Sequence, residues 1–185
     1  MTVGTKSLLF GAHWPPHLLM VTFAWRWLYG SWPSMKELGC ICLHDIGYFG
    51  SPNMDGKDTR REGLYHPEMG AKIADWLFGK EYGDLIRGHS KGYANRIDLP
   101  LSRLYGPDKL SHSMEMAWCY VLRTRMTGEL AMYRAADHGC APRNDDPTVT
   151  DREWFRIIRA RMARGGLNYF VEKIVPDGFG SSNGR

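Results

Sequence analysis

Apolar residues recur at helical spacing along most of the chain, and no segment alternates convincingly with the two-residue period of a strand. Pro15 and Pro16, followed by Val21, Ala24, Trp25 and Leu28, predict a helix that Gly30 ends. Proline is at home in a first turn, and glycine frees the exit. Ser34 with Glu37 reads as a capping box, opening a second helix through Leu38, Ile41 and Leu43 that ends near Gly47. His44 and Asp45 then fall in its last turn. Residues 48–65, rich in glycine, proline and asparagine, predict a loop.

His66-Pro67 restarts a helix whose inner face is Met69, Ile73, Trp76 and Leu77, stopped by Gly79. Leu85, Ile86, His89 and Tyr93 predict another, weakened by Gly88 and Gly92. After a loop over 98–106, Pro107 opens a long helix through Met114, Ala117, Trp118 and Val121. A polar loop over 136–149 leads to a second capping box, Thr150 with Glu153. The helix it opens carries Trp154, Phe155, Ile158 and Met162 on its apolar face. The expected fold is all-α, a single-domain helical bundle over residues 1–185. Its motif-bearing core spans 13–125, a helical extension 126–175 and a flexible tail 176–185.

With 185 residues, 43% apolar and 24% charged, the chain can bury a core without disulfides. Its net charge of +4 favours an anionic substrate but falls short of a nucleic-acid footprint. Arg152, Arg156, Arg159, Arg161 and Arg164 spread over several helical faces and read as a solvated surface. Cys40, Cys42, Cys119 and Cys140 form no CxxC pair, so buried reduced thiols in a cytoplasmic protein are expected. The apolar run from Leu18 to Trp32 is interrupted by Arg26 and is shorter than the roughly 20 residues of a membrane span. Nor do the histidines and prolines before it suit a signal peptide.

The chemistry concentrates in histidine and aspartate. His17, His44, His66 and His89, at wide and fairly even intervals, join Asp45 and Asp108 from different helices. Helical bundles build metal sites this way, and imidazole with carboxylate suits Fe, Mn, Co, Ni or Zn better than Ca or Mg. His13 competes with His17, which lies within the helix. His112, one turn after Asp108, reads as a surface histidine.

These residues also carry a resemblance. Leu43-His44-Asp45-Ile46-Gly47 resembles the signature of the HD superfamily of metal-dependent phosphohydrolases, His66-Pro67-Glu68-Met69-Gly70 its HPxxG element, and Asp108-Lys109-Leu110-Ser111 its downstream ADKLS element. The resemblance covers roughly 13–125 and rests on the order His, His-Asp, His, His, Asp. It implies an HD-type all-α bundle. His17, His44, Asp45 and Asp108 would hold a first divalent metal, and His66 and His89 a second bridged by Asp45. It also implies hydrolysis of a phosphate ester of a nucleotide or small phosphorylated metabolite. Tyr48 stands where such proteins often have lysine, and His89-Ser90-Lys91-Gly92-Tyr93 departs from the run that marks cyclic-dinucleotide hydrolysis.

Asp45, Lys91 and Lys109 are the expected catalytic residues. Lys57, Arg60, Arg61, Lys91, Arg96, Arg103 and Tyr93 are expected to hold substrate, since cations orient phosphate oxygens. Two other functions share the ligand order: a mixed-valence di-iron oxygenase, and a catalytically silent metal-binding protein.

Overall fold

A computed structural model of the protein describes residues 1–54, 63–135 and 148–174. Among these residues all regular structure is helical. The α-helices are α1 (Val3–Phe10), α2 (Pro15–Tyr29), α3 (Met35–Leu43), α4 (His66–Phe78), α5 (Lys80–Arg87), α6 (Lys91–Arg96), α7 (Tyr105–Ser111), α8 (Ala117–Thr127), α9 (Glu129–Ala135) and α10 (Asp151–Ile174). Short 3-10 turns occupy Ile46–Tyr48, Gly63–Tyr65 and His112–Met114. No described helix is long and apolar enough to cross a membrane.

The helices with the strongest local signals form as the pattern predicts. α2 starts on its two prolines, ends at Gly30 in the left-handed region (φ 69°) and buries Val21, Ala24, Trp25 and Leu28. The α3 capping box is complete, with Ser34 accepting from the Glu37 N–H and Glu37 accepting from the Ser34 N–H. α10 opens where Thr150 accepts from the Glu153 N–H, and buries Trp154 and Phe155.

Four expectations about the helices are corrected. α3 stops at Leu43, with His44 as its cap, and the chain tightens into the turn at 46–48. α4 turns Met69, Trp76 and Leu77 to solvent and buries His66, Pro67, Gly70, Ala71 and Ala74 instead. This small-residue face lets two backbones meet, for a Cβ on Gly70 would lie 2.0 Å from the Leu43 carbonyl oxygen. The helix expected around His89 is two helices, parted where Gly88 lies against Pro100 and Ser102. The long helix expected from Pro107 is also broken. Glu115 is extended there, its carboxylate paired with Arg123 and its carbonyl accepting from Arg159.

α1 has no signal in the pattern, whereas α9 falls within the expected helical extension. The buried face of α1 is Gly4, Thr5 and Ser7, while Leu9 and Phe10 are exposed. Cys42 is exposed rather than buried, and Cys40 is fully enclosed.

Packing holds these pieces around one end of the bundle. Val21, Trp25, Ile41 and Leu104 close α2 on α3 and the chain entering α7. Cys40, Ala71, Ala74 and Ile86 close α3 on α4 and α5. Arg87, largely enclosed, ties α5 to α4 by bonding Glu68 at 3.0 Å and Asp75 at 2.7 Å, and also Asp84 at 3.1 Å. Planar guanidinium suits such multiple carboxylate contacts. A third cluster, Tyr120, Val121, Leu130, Trp154 and Phe155, joins α8, α9 and α10.

Candidate metal centre

Five separate stretches of chain deliver side chains to one buried point. His17 projects from the first turn of α2, His44 and Asp45 from the end of α3, and His66 from the start of α4. His89 comes from the joint between α5 and α6, and Asp108 from α7. All six are buried. Asp45 stands at the centre. Its Oδ2 lies 2.9 Å from His44 Nε2 and 3.7 Å from His17 Nε2, and these imidazoles lie 3.6 and 3.3 Å from Asp108 Oδ1. Its Oδ1 lies 3.5 Å from both His66 Nε2 and His89 Nε2, which are themselves 3.1 Å apart.

Thus one carboxylate faces two groups of donors, one with each oxygen. His17, His44 and Asp108 have ligand atoms close enough together to hold one ion, as do His44, Asp45 and His89.

A second layer of contacts settles which nitrogen faces inward. His44 Nδ1 lies 2.7 Å from the Ile41 carbonyl, His66 Nδ1 2.7 Å from that of Gly63, and His89 Nδ1 2.6 Å from that of Ile86. A carbonyl only accepts, so each Nδ1 carries a hydrogen and each Nε2 is the nitrogen turned to the interior, where a metal ion would bind. Ser111 Oγ sits 3.4 Å behind His17 Nδ1. Rings complete the frame: Tyr48 stacks on His66 (centroids 4.2 Å apart) and His112 on His17 (5.1 Å).

Several inward atoms have no hydrogen-bond partner, namely His17 Nε2, His44 Nε2 and Asp45 Oδ2. Buried polar atoms left this way are costly unless something fills the gap between them. Nitrogen lone pairs converging with carboxylate oxygens fit a divalent transition metal in donor type and in number. The residues present therefore suit one or two such ions.

The electrostatics follow from crowding charge out of water. Burial opposes charge on His44, but Asp45 and Asp108 outweigh it and raise this imidazole to about 10. Burial likewise opposes charge on Asp45 and Asp108. His44 pulls Asp45 well below the usual carboxylate range, and Lys109 with His17 does the same for Asp108. Burial lowers His13 to about 4, and it lowers His89 and His112 as well.

The metal-free protein should therefore be most stable near pH 6.5. Between about 4 and 6.5 the unfolded chain binds the proton that folded His13 refuses, so stability is lost as acid is added; His89 and His112 steepen that slope. His44 acts oppositely, its contribution being complete below 6.5 and lost as pH climbs towards about 10. Thermal melts of chelated protein across that range check this. A midpoint rising steadily in one direction contradicts it.

Of the other expected site residues, Lys109 reaches the cluster, its Nζ 2.8 Å from Asp108 Oδ2. Lys91 is exposed in the first turn of α6, just past His89. Tyr93 donates from its hydroxyl to Glu68 at 2.7 Å, and Arg96 lies 5.4 Å over the Tyr65 ring, so both sit on the flank beside His66. Arg103 is elsewhere. It stacks on Trp25 and Tyr29 and pairs with Glu37, eight to twelve residues along α2 from His17, or roughly 12–18 Å at helical rise. A guanidinium finds aromatic faces and a carboxylate there, and no role at the centre follows. Lys57, Arg60 and Arg61 lie outside the described residues.

No family model, curated protein or solved structure matches the chain.

His112 is the plainest miss of the sequence reading, being buried against His17 rather than on the surface. Its place one turn after Asp108 was the available signal. His13, set against His17 as a rival, is instead its neighbour. His17 joins the ligand group, while His13 Nε2 stands 3.9 Å from Asp45 Oδ2 and its ring packs on Tyr48.

Proposed function

We propose that this chain is a metal-dependent phosphohydrolase of the HD superfamily, cleaving a phosphate ester of a nucleotide or small phosphorylated metabolite. The observation that carries the reading is Asp45, whose two oxygens face separate groups of imidazole and carboxylate donors. His17, His44, Asp45 and Asp108 would hold one divalent ion, and Asp45, His66 and His89 a second. Bound ions would lower the pKa of water and neutralise phosphoryl oxygens, the two obstacles to attack on an anionic ester.

The chain's own residues supply the rest. The three carbonyl-anchored imidazoles hold fixed orientations, so little reorganisation is needed as substrate arrives. Burial of the cluster excludes bulk water and strengthens every charge interaction within it. Lys109, beside Asp108 and only partly enclosed, is placed to offer a positive charge to a phosphate oxygen. Lys91, Tyr93 and Arg96 stand on the flank where the rest of a substrate would extend.

The test is a phosphate-release screen over nucleotides and small phosphate esters, with protein loaded in turn with Mn²⁺, Co²⁺, Ni²⁺, Fe²⁺, Zn²⁺ and Mg²⁺. Turnover is expected with transition metals and lost on chelation. Oxygen-dependent turnover of the iron-loaded protein without phosphate release would replace this reading with the oxygenase. Silence under every condition would leave a metal-binding protein.

A further inference from the structure

A chain of hydrogen bonds, independent of the six ligands, ends beside Asp45. It starts at Glu129, the first residue of α9, which is wholly enclosed. Ser7 Oγ donates to Glu129 Oε2 at 2.8 Å, and the Ala12 N–H donates to both carboxyl oxygens at 3.1 and 3.3 Å. Thr127 Oγ donates at 2.5 Å, and the Tyr133 hydroxyl reaches Oε2 at 3.4 Å. Gly11 gives the carboxyl its room, since a Cβ there would lie 1.7 Å from Glu129 Oε1. From Ser7 the chain continues, with Ser7 Oγ 2.7 Å from His13 Nδ1. His13 Nε2 then faces Asp45 Oδ2 across 3.9 Å.

The direction of each hydrogen follows from counting. The Ala12 N–H can only donate, and the Thr127 hydrogen goes to the carboxyl at 2.5 Å rather than to the Arg123 and Thr124 carbonyls at 3.2 Å. These donors with Ser7 oppose the burial that raises Glu129, the arrangement of a carboxylate. A serine hydroxyl has one hydrogen, and here it goes to Glu129, so Ser7 Oγ can only accept from His13. His13 Nδ1 therefore carries the imidazole hydrogen, and Nε2 presents a bare lone pair. Across the gap, Asp45 Oδ2 is also an acceptor, held at 2.9 Å from His44 Nε2 on its other side. Two acceptors facing one another at this separation call for a donor between them, and a water or hydroxyl within about 2.8 Å of each would span the gap. Of the five imidazoles around Asp45, His13 has the greatest side-chain exposure, 12% against 3% or less.

We infer that His13 accepts a hydrogen bond from the attacking water or a substrate hydroxyl seated over Asp45, and that Ser7 and Glu129 are positioning residues that hold His13 in its Nδ1–H form. The role given to His13 rests on the hydrolytic reading; the positioning by Ser7 and Glu129 does not. An acceptor on the solvent side of the cluster aims the lone pair of the incoming oxygen away from itself, towards the phosphorus. The protonated-at-Nε2 form would present a hydrogen instead and repel the same donor.

Glu129→Gln tests the device with almost no change of shape. The glutamine amide can donate to Ser7, which then turns its own hydrogen onto His13 Nδ1 and drives His13 to the Nε2–H form. Two-bond proton–nitrogen correlation spectra of ¹⁵N-labelled, metal-free protein read the form directly, with His13→Gln assigning the signal. Wild type is expected to show Nδ1–H and Glu129→Gln to show Nε2–H. In the hydrolysis assay kcat should fall roughly 10–100-fold, the scale of outer positioning contacts, with KM little changed. Ser7→Ala, which leaves Glu129 its other donors, should populate both forms and lower kcat likewise; it serves if Glu129→Gln does not fold. A wild-type His13 in the Nε2–H form overturns the inference while leaving the hydrolase intact. The expected forms in a protein that releases no phosphate would overturn the catalytic role of His13 together with the hydrolase, and would uphold the positioning by Ser7 and Glu129.

Discussion

Asp45→Asn should remove both metals and nearly all turnover, the largest effect expected of any single substitution. The reason lies in the use of both oxygens. Oδ2 serves the side of His17, His44 and Asp108, and Oδ1 the side of His66 and His89. An asparagine keeps one acceptor and turns the other into an NH₂ that points hydrogens at bare imidazole nitrogens or at an ion. It also removes the buried negative charge that raises His44. The loss of rate should exceed the roughly 10–100-fold worth of an outer partner of a metal ligand, because Asp45 is placed as a ligand itself. Metal content by elemental analysis and phosphate release by colorimetric assay measure the two halves. Retention of two ions with undiminished turnover would remove the bridging role and the reading built upon it. The variant should also flatten the alkaline arm of the metal-free stability profile, since His44 then keeps only Asp108 to raise it.

Gly47→Ala is the second large effect, and it acts on the frame. A Cβ at Gly47 would lie 2.0 Å from the His66 carbonyl oxygen and 2.7 Å from its carbonyl carbon. Both obstacles are backbone, so no side-chain rotation relieves them, and the turn at 46–48 must move away from α4. Overpacking of an ordinary core site costs about 1–3 kcal/mol, and a rigid neighbour puts this one at the upper end or beyond. For a chain of this size 3 kcal/mol corresponds to a fall of about 6–12 °C in melting temperature. Because the turn joins Asp45 to the strip of chain against His66, the same shift pulls the two groups of donors apart. Thermal melts with and without Mn²⁺ read both consequences: a lower midpoint, and a smaller gain from the metal. A variant that melts within about 1 °C of the parent, well inside the shift expected of 1 kcal/mol, would show the turn to be pliant.

What could be read in advance depended on how local each cause was. The starts of α2, α3 and α10 are set by residues within one turn of each other, and proline or a capping box announces them. The inner face of α4 could not be read from bulk. Met69, Trp76 and Leu77 outweigh Gly70, Ala71 and Ala74 on any hydrophobic scale, yet close approach to the α3 backbone selects the small residues. The centre followed a similar divide. Histidines and aspartates in a fixed order along the sequence are brought together by the fold. Ser7 and Glu129, 122 positions apart, obey no spacing rule, and only three dimensions join them. Arg103 carries the same charge as Lys109, and nothing in the sequence tells a guanidinium laid on Trp25 from an ammonium beside Asp108.

His44, His66 and His89 each lean on a carbonyl three positions earlier in their own stretch of chain. A brace drawn from so near a neighbour is in place as soon as its own turn has formed, before any cation arrives. Three of the donors are therefore aimed by their own turns, and an ion entering the cluster would not have to rotate them. Stripping and refilling would then be an exchange at nitrogens whose direction the backbone already sets.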